Sequence, residues 1–238
     1  MQAIILAAGR GRRLGGLSDD KPKCFLEIKG KRIIDHQIDL LRAHHVCRIV
    51  VVTGYRSLEV KDGLKKHHDI AVAFNPFYAT TNVLTSFWFG KNLLSEDYIF
   101  LHGDTIFDEA ILKALLSKDA GMVMAVDFKK CEEEHMKVKI VGDAIVKITK
   151  QMPPQEAAGE FIGLAKVSKP FAQILHDKAD QFMLEEKFDC FFEAAVQRVI
   201  DQSGENDKVS FVDISGRFWE EIDFQEDYAR AQSRYGKS

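Results

Sequence analysis

The sequence predicts an α/β fold in which helices cover both faces of a mostly parallel central sheet. Two observations indicate this class. Short apolar runs rich in β-branched residues recur along the first half of the chain, and each is followed by apolar residues at helical spacing. The second half contains closely spaced strand patterns, one pair of which is joined by the turn Gly142-Asp143. These patterns predict a small antiparallel extension beside the parallel part.

Each element can be assigned from its own pattern. Apolar or alternating runs predict strands at residues 4–6, 25–28, 49–52, 70–74, 98–101, 122–126, 136–141, 144–149, 161–167, 209–214 and 218–223. Apolar residues three or four apart predict helices at residues 33–44, 58–64, 110–116, 169–182, 188–200 and 225–234, and a further helix that begins near Val83. Residues 151–159 contain Pro153-Pro154 and are typical of a mobile flap over a pocket.

Composition limits the classes of function that the chain can have. With 238 residues and 46% apolar content it can bury one substantial core, so we expect a single domain over residues 1–238. A net charge of −3 argues against nucleic acid as a partner. The sequence contains no apolar segment long enough to indicate a membrane protein. A homodimer is one assembly that the sequence leaves open. The scattered cysteines are interpreted as buried free thiols of a reduced, cytoplasmic protein: Cys24, Cys47, Cys131 and Cys190.

A glycine-rich loop follows the first predicted strand. Gly9 and Gly11 allow backbone amides to approach an anion. A dinucleotide fingerprint would need a small residue where Leu14 stands, and a P-loop would need Lys and Ser or Thr where the chain has Leu17 and Ser18. The loop therefore predicts a phosphate site that is neither a dinucleotide fingerprint nor a P-loop. Five cationic side chains surround it: Arg10, Arg12, Arg13, Lys21 and Lys23.

A carboxylate is predicted at the end of a second buried strand. Asp104 follows the strand at residues 98–101 and stands beside Gly103. Because the carboxyl ends of parallel strands meet at one edge of a sheet, Asp104 is expected to face the cationic loop. Carboxylate oxygens are the ligands that Mg²⁺ prefers. A helix-capping role is the alternative, but Asp108 stands nearer to the predicted helix start.

The chain contains a two-part motif, Leu6-Ala7-Ala8-Gly9-x-Gly11-x-Arg13-Leu14 followed by Pro22-Lys23. It resembles the signature of the sugar-nucleotide pyrophosphorylase superfamily of nucleotidyltransferases, and the similarity extends over nearly the whole chain. The resemblance implies a Rossmann-like three-layer sandwich, with an NTP-binding half at residues 1–118 and an acceptor-binding half at residues 119–238. It assigns Arg13 and Lys23 to catalysis. It assigns nucleotide binding to Leu6, Ala8, Gly9, Gly11, Arg13 and Lys23.

Further site residues are implied by the same resemblance. Asp104 matches the aspartate that binds Mg²⁺ in the superfamily, and Asp223 matches an acidic residue that a late strand supplies to the metal. Glu221 shares the strand face of Asp223 and could also contribute. Asn82 and Ser86 match a region that contacts the base and ribose, although capping of the following helix explains Asn82 equally well.

Within the superfamily, the chain is most similar to cytidylyltransferases that act on phosphocholine or related phospho-alcohols. The small size, Thr80-Thr81-Asn82 and Met136-Lys137-Val138-Lys139 contribute to this similarity. It implies Mg²⁺-dependent transfer from CTP to a small phosphorylated or phosphonylated amine, such as phosphocholine or 2-aminoethylphosphonate, with release of pyrophosphate.

The sequence leaves two other functions open. One is a sugar-1-phosphate or inositol-phosphate nucleotidyltransferase, although residues 159–164 lack the acidic and asparagine-rich pattern of hexose-binding relatives. The other is a non-catalytic nucleotide-sensing subunit. Such relatives tend to lose the phosphate lysine or a metal aspartate, whereas this chain has Lys23, Asp104 and Asp223.

The acceptor is expected to be held at both of its ends. Tyr78 and Trp219 are candidates for an aromatic cage around a cationic group, although a place in the core explains Trp219 equally well, and Glu160 would add negative charge. Lys137 and Lys150 are candidates for the acceptor phosphate. Solvent-exposed strand lysines explain this last pair equally well.

Overall fold

The computed structural model describes residues 1–46, 48–202 and 208–236. The strands are β1 Gln2–Ala7, β2 Glu27–Ile28, β3 Lys31–Arg32, β4 Arg48–Thr53, β5 Ile70–Phe74, β6 Tyr98–His102, β7 Thr105–Phe107, β8 Met122–Asp127, β9 Lys137–Val141, β10 Ala144–Thr149, β11 Gly159–Val167, β12 Val209–Asp213 and β13 Trp219–Glu221. The α-helices are α1 Ile33–Ala43, α2 Ser57–Gly63, α3 Val83–Lys91, α4 Glu109–Ser117, α5 Lys169–Leu184, α6 Phe192–Gln202 and α7 Gln225–Arg234.

The main sheet, over the residues described, contains nine strands in the order β5-β4-β1-β6-β11-β8-β12-β10-β9. Strands β5, β4, β1 and β6 are parallel neighbours, and so are β8 and β12. In contrast, β11 is antiparallel to β6 and β8, and β10 is antiparallel to β9 and β12.

The prediction of a mostly parallel sheet is therefore wrong, because half of the neighbouring strand pairs are antiparallel. The physical reason lies in the connections. A parallel neighbour requires a long crossover, usually a helix. The chain runs from β8 through the β9–β10 hairpin into β11 without an α-helix, so β11 enters the middle of the sheet in the reverse direction.

Helices cover both faces of this mixed sheet. Side chains alternate along β1, so Ile4 points to one face while Ala3 and Ile5 point to the other. The Ile4 face packs against α3, α5 and α6, and the opposite face packs against α1, α2 and α4. A third, smaller apolar cluster joins α7 to the loop after β1 through Leu14, Ile222 and Ala231.

The parallel half of the sheet places two loops side by side. In the register of β1 and β6, Leu6 lies opposite His102. The amide of Gly103 donates a hydrogen bond of 2.9 Å to the Leu6 carbonyl, and a Cβ at Gly103 would meet that oxygen at 2.8 Å. The glycine is therefore required where the loop that carries Asp104 approaches the loop after β1.

The cysteine prediction is confirmed in part. Cys24 and Cys131 are buried free thiols, but Cys190 is only half-buried, so its predicted burial is wrong. Cys47 lies outside the described residues. Within the part of the chain that the structure describes, no helix is both long and apolar enough to cross a bilayer.

Replacement of Gly90 by alanine is expected to destabilise the fold. Gly90 lies in α3 where the helix meets the sheet, and a Cβ there would lie 2.5 Å from Val52 Cγ2 and 2.9 Å from Ile4 Cδ1. Overpacking of this kind costs about 1–3 kcal/mol in the free energy of unfolding. Urea unfolding measures the change. Gly16→Ala is the matched control because a Cβ at Gly16 has open space around it, and an equal loss in both variants would contradict the packing argument.

Candidate active site

A cavity of about 470 Å³ opens at the carboxyl ends of β1 and β6 and draws residues from both predicted halves of the chain. Most of the residues predicted from sequence line it. They are Leu6, Ala8, Gly9, Gly11, Arg13, Lys23, Tyr78, Asn82, Ser86, Asp104, Lys150, Glu160 and Asp223.

The loop after β1 forms one end of the cavity. Gly11 has a φ of 71°, in the left-handed region that favours glycine. Its carbonyl accepts hydrogen bonds from the Leu14 amide at 3.0 Å and from the Ser18 hydroxyl at 2.8 Å, which closes the loop. The exposed side chains of Arg12 and Arg13 also line this end. The loop therefore presents a glycine-rich backbone and two guanidinium groups to the cavity.

Lys23 stands at the centre of the site. Its side-chain Nζ lies 2.6 Å from Asp104 Oδ2 and 2.6 Å from Asp223 Oδ1, and the residue is only 7% exposed. Burial opposes the charge of the ammonium, but Asp104 and Asp223 outweigh this effect and raise the pKa of Lys23 above its ordinary value. Arg13 adds a longer contact, with Nη1 at 3.8 Å from Asp223 Oδ2.

Backbone contacts bring the two aspartates together. Strand β13 pairs with β7, so the Ile222 amide donates to the Asp104 carbonyl at 3.1 Å. On the other side of the turn between β6 and β7, the buried side-chain amide of Gln37 donates to the His102 and Thr105 carbonyls at 2.8 and 2.7 Å. Hydrogen bonds from Ile222 and Gln37 therefore fix the turn that carries Asp104. Strand β13, which precedes Asp223, lies beside this turn.

The residues around Lys23 could also hold a divalent cation. Asp104 and Asp223 already direct one oxygen each onto a single cationic group, which is the arrangement that Mg²⁺ requires of carboxylate ligands. A ligand atom from each of His102, Asp104 and Glu221 lies within 4.8 Å of the others. The donor set therefore fits a metal ion, and Glu221 lies close enough to contribute.

His102 was not predicted as a site residue. It lies at the end of β6, lines the cavity, and has Nδ1 at 3.8 Å from Glu221 Oε1. Burial disfavours its charged form, but the interaction with Glu221 prevails and raises the pKa of His102 to about 9. A Cβ at Gly163 would meet His102 Nδ1 at 2.5 Å, so the left-handed glycine makes room for the ring. From the sequence, only the strand-end position of His102 pointed to the site.

Asn82 and Ser86 lie on the wall next to Tyr78. Asn82 caps α3, because its Oδ1 accepts a hydrogen bond from the Val83 amide at 2.8 Å. The Ser86 hydroxyl is buried and accepts from the Asn75 side-chain amide at 3.0 Å. Both side chains therefore have structural partners, and their contacts with a base or ribose remain a prediction.

The far wall of the cavity is acidic. Glu160 is 7% exposed, and its Oε2 lies 2.7 Å from Lys129 Nζ. Glu193, at the start of α6, was not predicted; it is 3% exposed and lines the same wall. Burial raises the pKa of both carboxyl groups. A carboxylate within the buried face of an amphipathic helix is the signal that could have identified Glu193.

Two of the predicted acceptor residues do not reach the cavity. The Lys137 ammonium is fully buried and donates to the carbonyls of Glu132, Glu133 and His135 at 3.1, 2.6 and 3.2 Å. The prediction that Lys137 binds the acceptor is therefore wrong, because its three N–H groups already donate to these carbonyls. Lys137 has a structural role instead. Trp219 lies outside the lining, since its indole donates to Asp127 at 3.0 Å.

Comparisons with known proteins relate these features to a family. A model of the MobA-like NTP transferase domain matches residues 3–164. The CTP:phosphoglutamine cytidylyltransferase of Campylobacter jejuni is 28% identical over 249 residues, which cover 95% of this chain and 97% of that protein. The CMP-5'-(3-aminopropyl)phosphonate synthase of Streptomyces rubellomurinus is 31% identical over 132 residues, which cover 52% of this chain and 20% of that protein.

A solved structure has the same fold. The CTP:phosphocholine cytidylyltransferase from Streptococcus pneumoniae superposes with a TM-score of 0.81 at 21% sequence identity, covering 98% of this chain and 97% of that one. At this identity the likeness concerns the fold, including its mixture of strands and helices.

Replacement of Lys137 by methionine is expected to affect stability and not catalysis. The variant removes the hydrogen bonds that the buried Lys137 ammonium donates to three carbonyls, and the loss of hydrogen bonds from a charged donor costs about 1–3 kcal/mol in the free energy of unfolding. Thermal unfolding and steady-state kinetics measure the two effects. Lys139→Met is the matched control, since Lys139 is exposed on the same strand. A rise in acceptor KM for Lys137→Met at unchanged stability would return Lys137 to the acceptor site.

Proposed function

The chain belongs to the MobA-like NTP transferase domain family, and we propose that it transfers CMP from CTP to a small phosphorylated or phosphonylated amine and releases pyrophosphate. The observation that carries the proposal is the cluster of Lys23, Asp104 and Asp223, which lies between a cationic glycine loop and an acidic wall. Two of the similar proteins are named for cytidylyl or CMP transfer to phosphoglutamine or an aminopropylphosphonate.

The loop after β1 is the proposed site for the triphosphate. Gly9 has open space around its backbone, and Arg12 and Arg13 are exposed beside it. A glycine backbone allows close approach to phosphate oxygens, and guanidinium groups bind them through charge-assisted hydrogen bonds. The base and ribose would then lie toward Asn82 and Ser86, on the wall that α3 forms.

Asp104 and Asp223 are the proposed ligands of Mg²⁺, with Glu221 nearby. When bound, the ion would neutralise charge on the reacting phosphates and orient them. Lys23 Nζ contacts one oxygen of each aspartate in this structure. With those oxygens holding the ion, Lys23 would pair with phosphate oxygens instead. The lysine therefore has a position from which it can stabilise the negative charge that develops at the α-phosphate.

No general base is needed for this reaction. A phosphate monoester is already ionised near pH 7, so the acceptor attacks the α-phosphorus directly and pyrophosphate leaves in line. The work of the protein is to position both substrates and to balance their charges. This requirement is met by a cavity whose two ends have opposite charge, with Arg13 at one end and Glu160 at the other.

The acceptor is proposed to be of the phosphocholine or 2-aminoethylphosphonate type. Its phosphate would lie near Lys23 and Lys150, and its amine would lie toward Glu160 and Glu193. The hydroxyl groups of a sugar phosphate or inositol phosphate could donate hydrogen bonds to these carboxylates, but they would not balance the negative charge as an ammonium does.

Removal of either aspartate is expected to abolish most of the activity. Asp104→Asn and Asp223→Asn should each lower kcat by about a hundredfold or more, because metal neutralisation of phosphates supplies several kcal/mol of transition-state stabilisation. Pyrophosphate release at varied Mg²⁺ measures the effect. The exposed Asp119 after α4 supplies the control, Asp119→Asn. Near wild-type turnover in both site variants would refute the proposed metal ligands.

A substrate panel tests the proposed function as a whole. Pyrophosphate release is measured with each of the four NTPs against phosphocholine, phosphoethanolamine, 2-aminoethylphosphonate, inositol phosphate and glucose-1-phosphate. CTP with an amine acceptor is expected to give the highest kcat/KM. A preference for UTP with glucose-1-phosphate would assign the chain to the sugar-phosphate branch, and no turnover with any pair would favour a nucleotide-sensing protein.

A further inference from the structure

We infer that the acceptor end of the cavity selects a primary ammonium group over a quaternary ammonium group, and that Glu193 is the residue that discriminates between them. The inference rests on the proposed function, because it concerns the amine of the proposed acceptor. It follows from two independent observations, one on the aromatic rings near the cavity and one on the carboxylate of Glu193.

The aromatic rings do not form an open cage. A quaternary ammonium is recognised by the exposed faces of several aromatic rings. Here the Lys150 ammonium lies 4.9 Å from the centroid of Phe191, and the Lys129 ammonium lies 4.7 Å from the centroid of Trp219. Protein cations thus already lie over both rings. Phe161 is 97% buried, so its ring offers little surface to a ligand. Tyr78 also lines the cavity and is half-buried, but a single ring does not form a cage.

Glu193 has the opposite property, because one of its two carboxylate oxygens is buried without a hydrogen-bond partner. It lines the cavity and is 97% buried, yet its Oε2 has no hydrogen-bond partner among the described residues. Glu160 Oε2 also has no hydrogen bond of good geometry among the described residues, but its charge is paired, because Lys129 Nζ lies 2.7 Å away. A buried carboxylate oxygen without a partner is destabilising, so a ligand that donates a hydrogen bond there gains affinity.

The two kinds of amine differ in that capacity. A primary ammonium carries three N–H donors and can satisfy Glu193 directly. A quaternary ammonium carries none, and its methyl groups would keep the charge away from the carboxylate. A site built to hydrogen-bond a donor rejects an analogue without it far more strongly than an apolar pocket rejects an extra methyl group. The cavity therefore favours acceptors of the phosphoethanolamine or 2-aminoethylphosphonate kind.

The test compares phosphoethanolamine with phosphocholine, which share the phosphate and the two-carbon linker and differ only in three N-methyl groups. With CTP and Mg²⁺, the unmodified protein is expected to show a kcat/KM at least about tenfold higher for phosphoethanolamine. Glu193→Gln should lower that value about tenfold through acceptor KM and leave phosphocholine within about twofold, so that the preference disappears. The KM for CTP should not change.

Two controls separate recognition from folding. Asp201→Asn alters an exposed carboxylate on the same helix and is expected to keep the preference. Glu193→Gln should melt at the same or a higher temperature, because it removes a buried charge. A lower melting temperature together with a raised KM for CTP would assign Glu193 to the fold and overturn the inference.

The remaining outcomes distinguish the inference from the proposed function. If phosphocholine reacts as well as phosphoethanolamine, or if Glu193→Gln keeps the preference, the inference is wrong while the cytidylyltransferase assignment stands. If neither amine reacts with CTP while inositol phosphate or glucose-1-phosphate does, both the proposed acceptor class and the inference are wrong.

Discussion

The ion cluster of Lys23 with Asp104 and Asp223 is the interaction on which the rest of the site depends. It joins three parts of the chain that are 81 and 200 residues apart in sequence. A nearly buried ammonium needs both carboxylates, because desolvation would otherwise disfavour its charge. The glycine loop, the turn after β6 and the end of β13 are therefore held at one point, where phosphates and a metal ion would meet.

The cavity carries opposite charges on the two sides of the Lys23 cluster. Arg12 and Arg13 lie on the side of the glycine loop, while Glu160 and Glu193 lie on the wall formed by β11 and α6. Two anionic substrates repel each other, so a transferase must balance the charge of both at once. A cationic end, a mixed centre and an acidic end suit a triphosphate and a zwitterionic acceptor that react through their phosphates.

Much of the glycine-loop end of the cavity could be predicted from the sequence because its signals are local. A buried strand followed by Gly9 and Gly11, and a second strand that ends near Asp104, are readable within short windows. The antiparallel position of β11 could not be read in the same way. Which strands become neighbours is decided by connections and packing across the whole sheet, and not by the pattern of any single strand.

The second half of the chain shows the same limit at the level of side chains. Alternation along β9 defines a face for Lys137, but the three carbonyls that hold its ammonium come from the preceding loop. The pattern of α6 shows that Glu193 lies among apolar residues, but it cannot show that a cavity opens there. Glu160 was predicted because it follows a recognisable flap, which is again a local signal.

The anomalous signal of Mn²⁺ in crystals grown with Mn²⁺ and CTP shows most directly whether Asp104 and Asp223 hold the metal ion. One peak is expected within bonding distance of the carboxylates of Asp104 and Asp223, with Lys23 Nζ in contact with phosphate oxygens of the nucleotide. A peak held by His102 and Glu221 without Asp223, or a Lys23 that still bridges both aspartates while CTP is bound, would contradict this expectation.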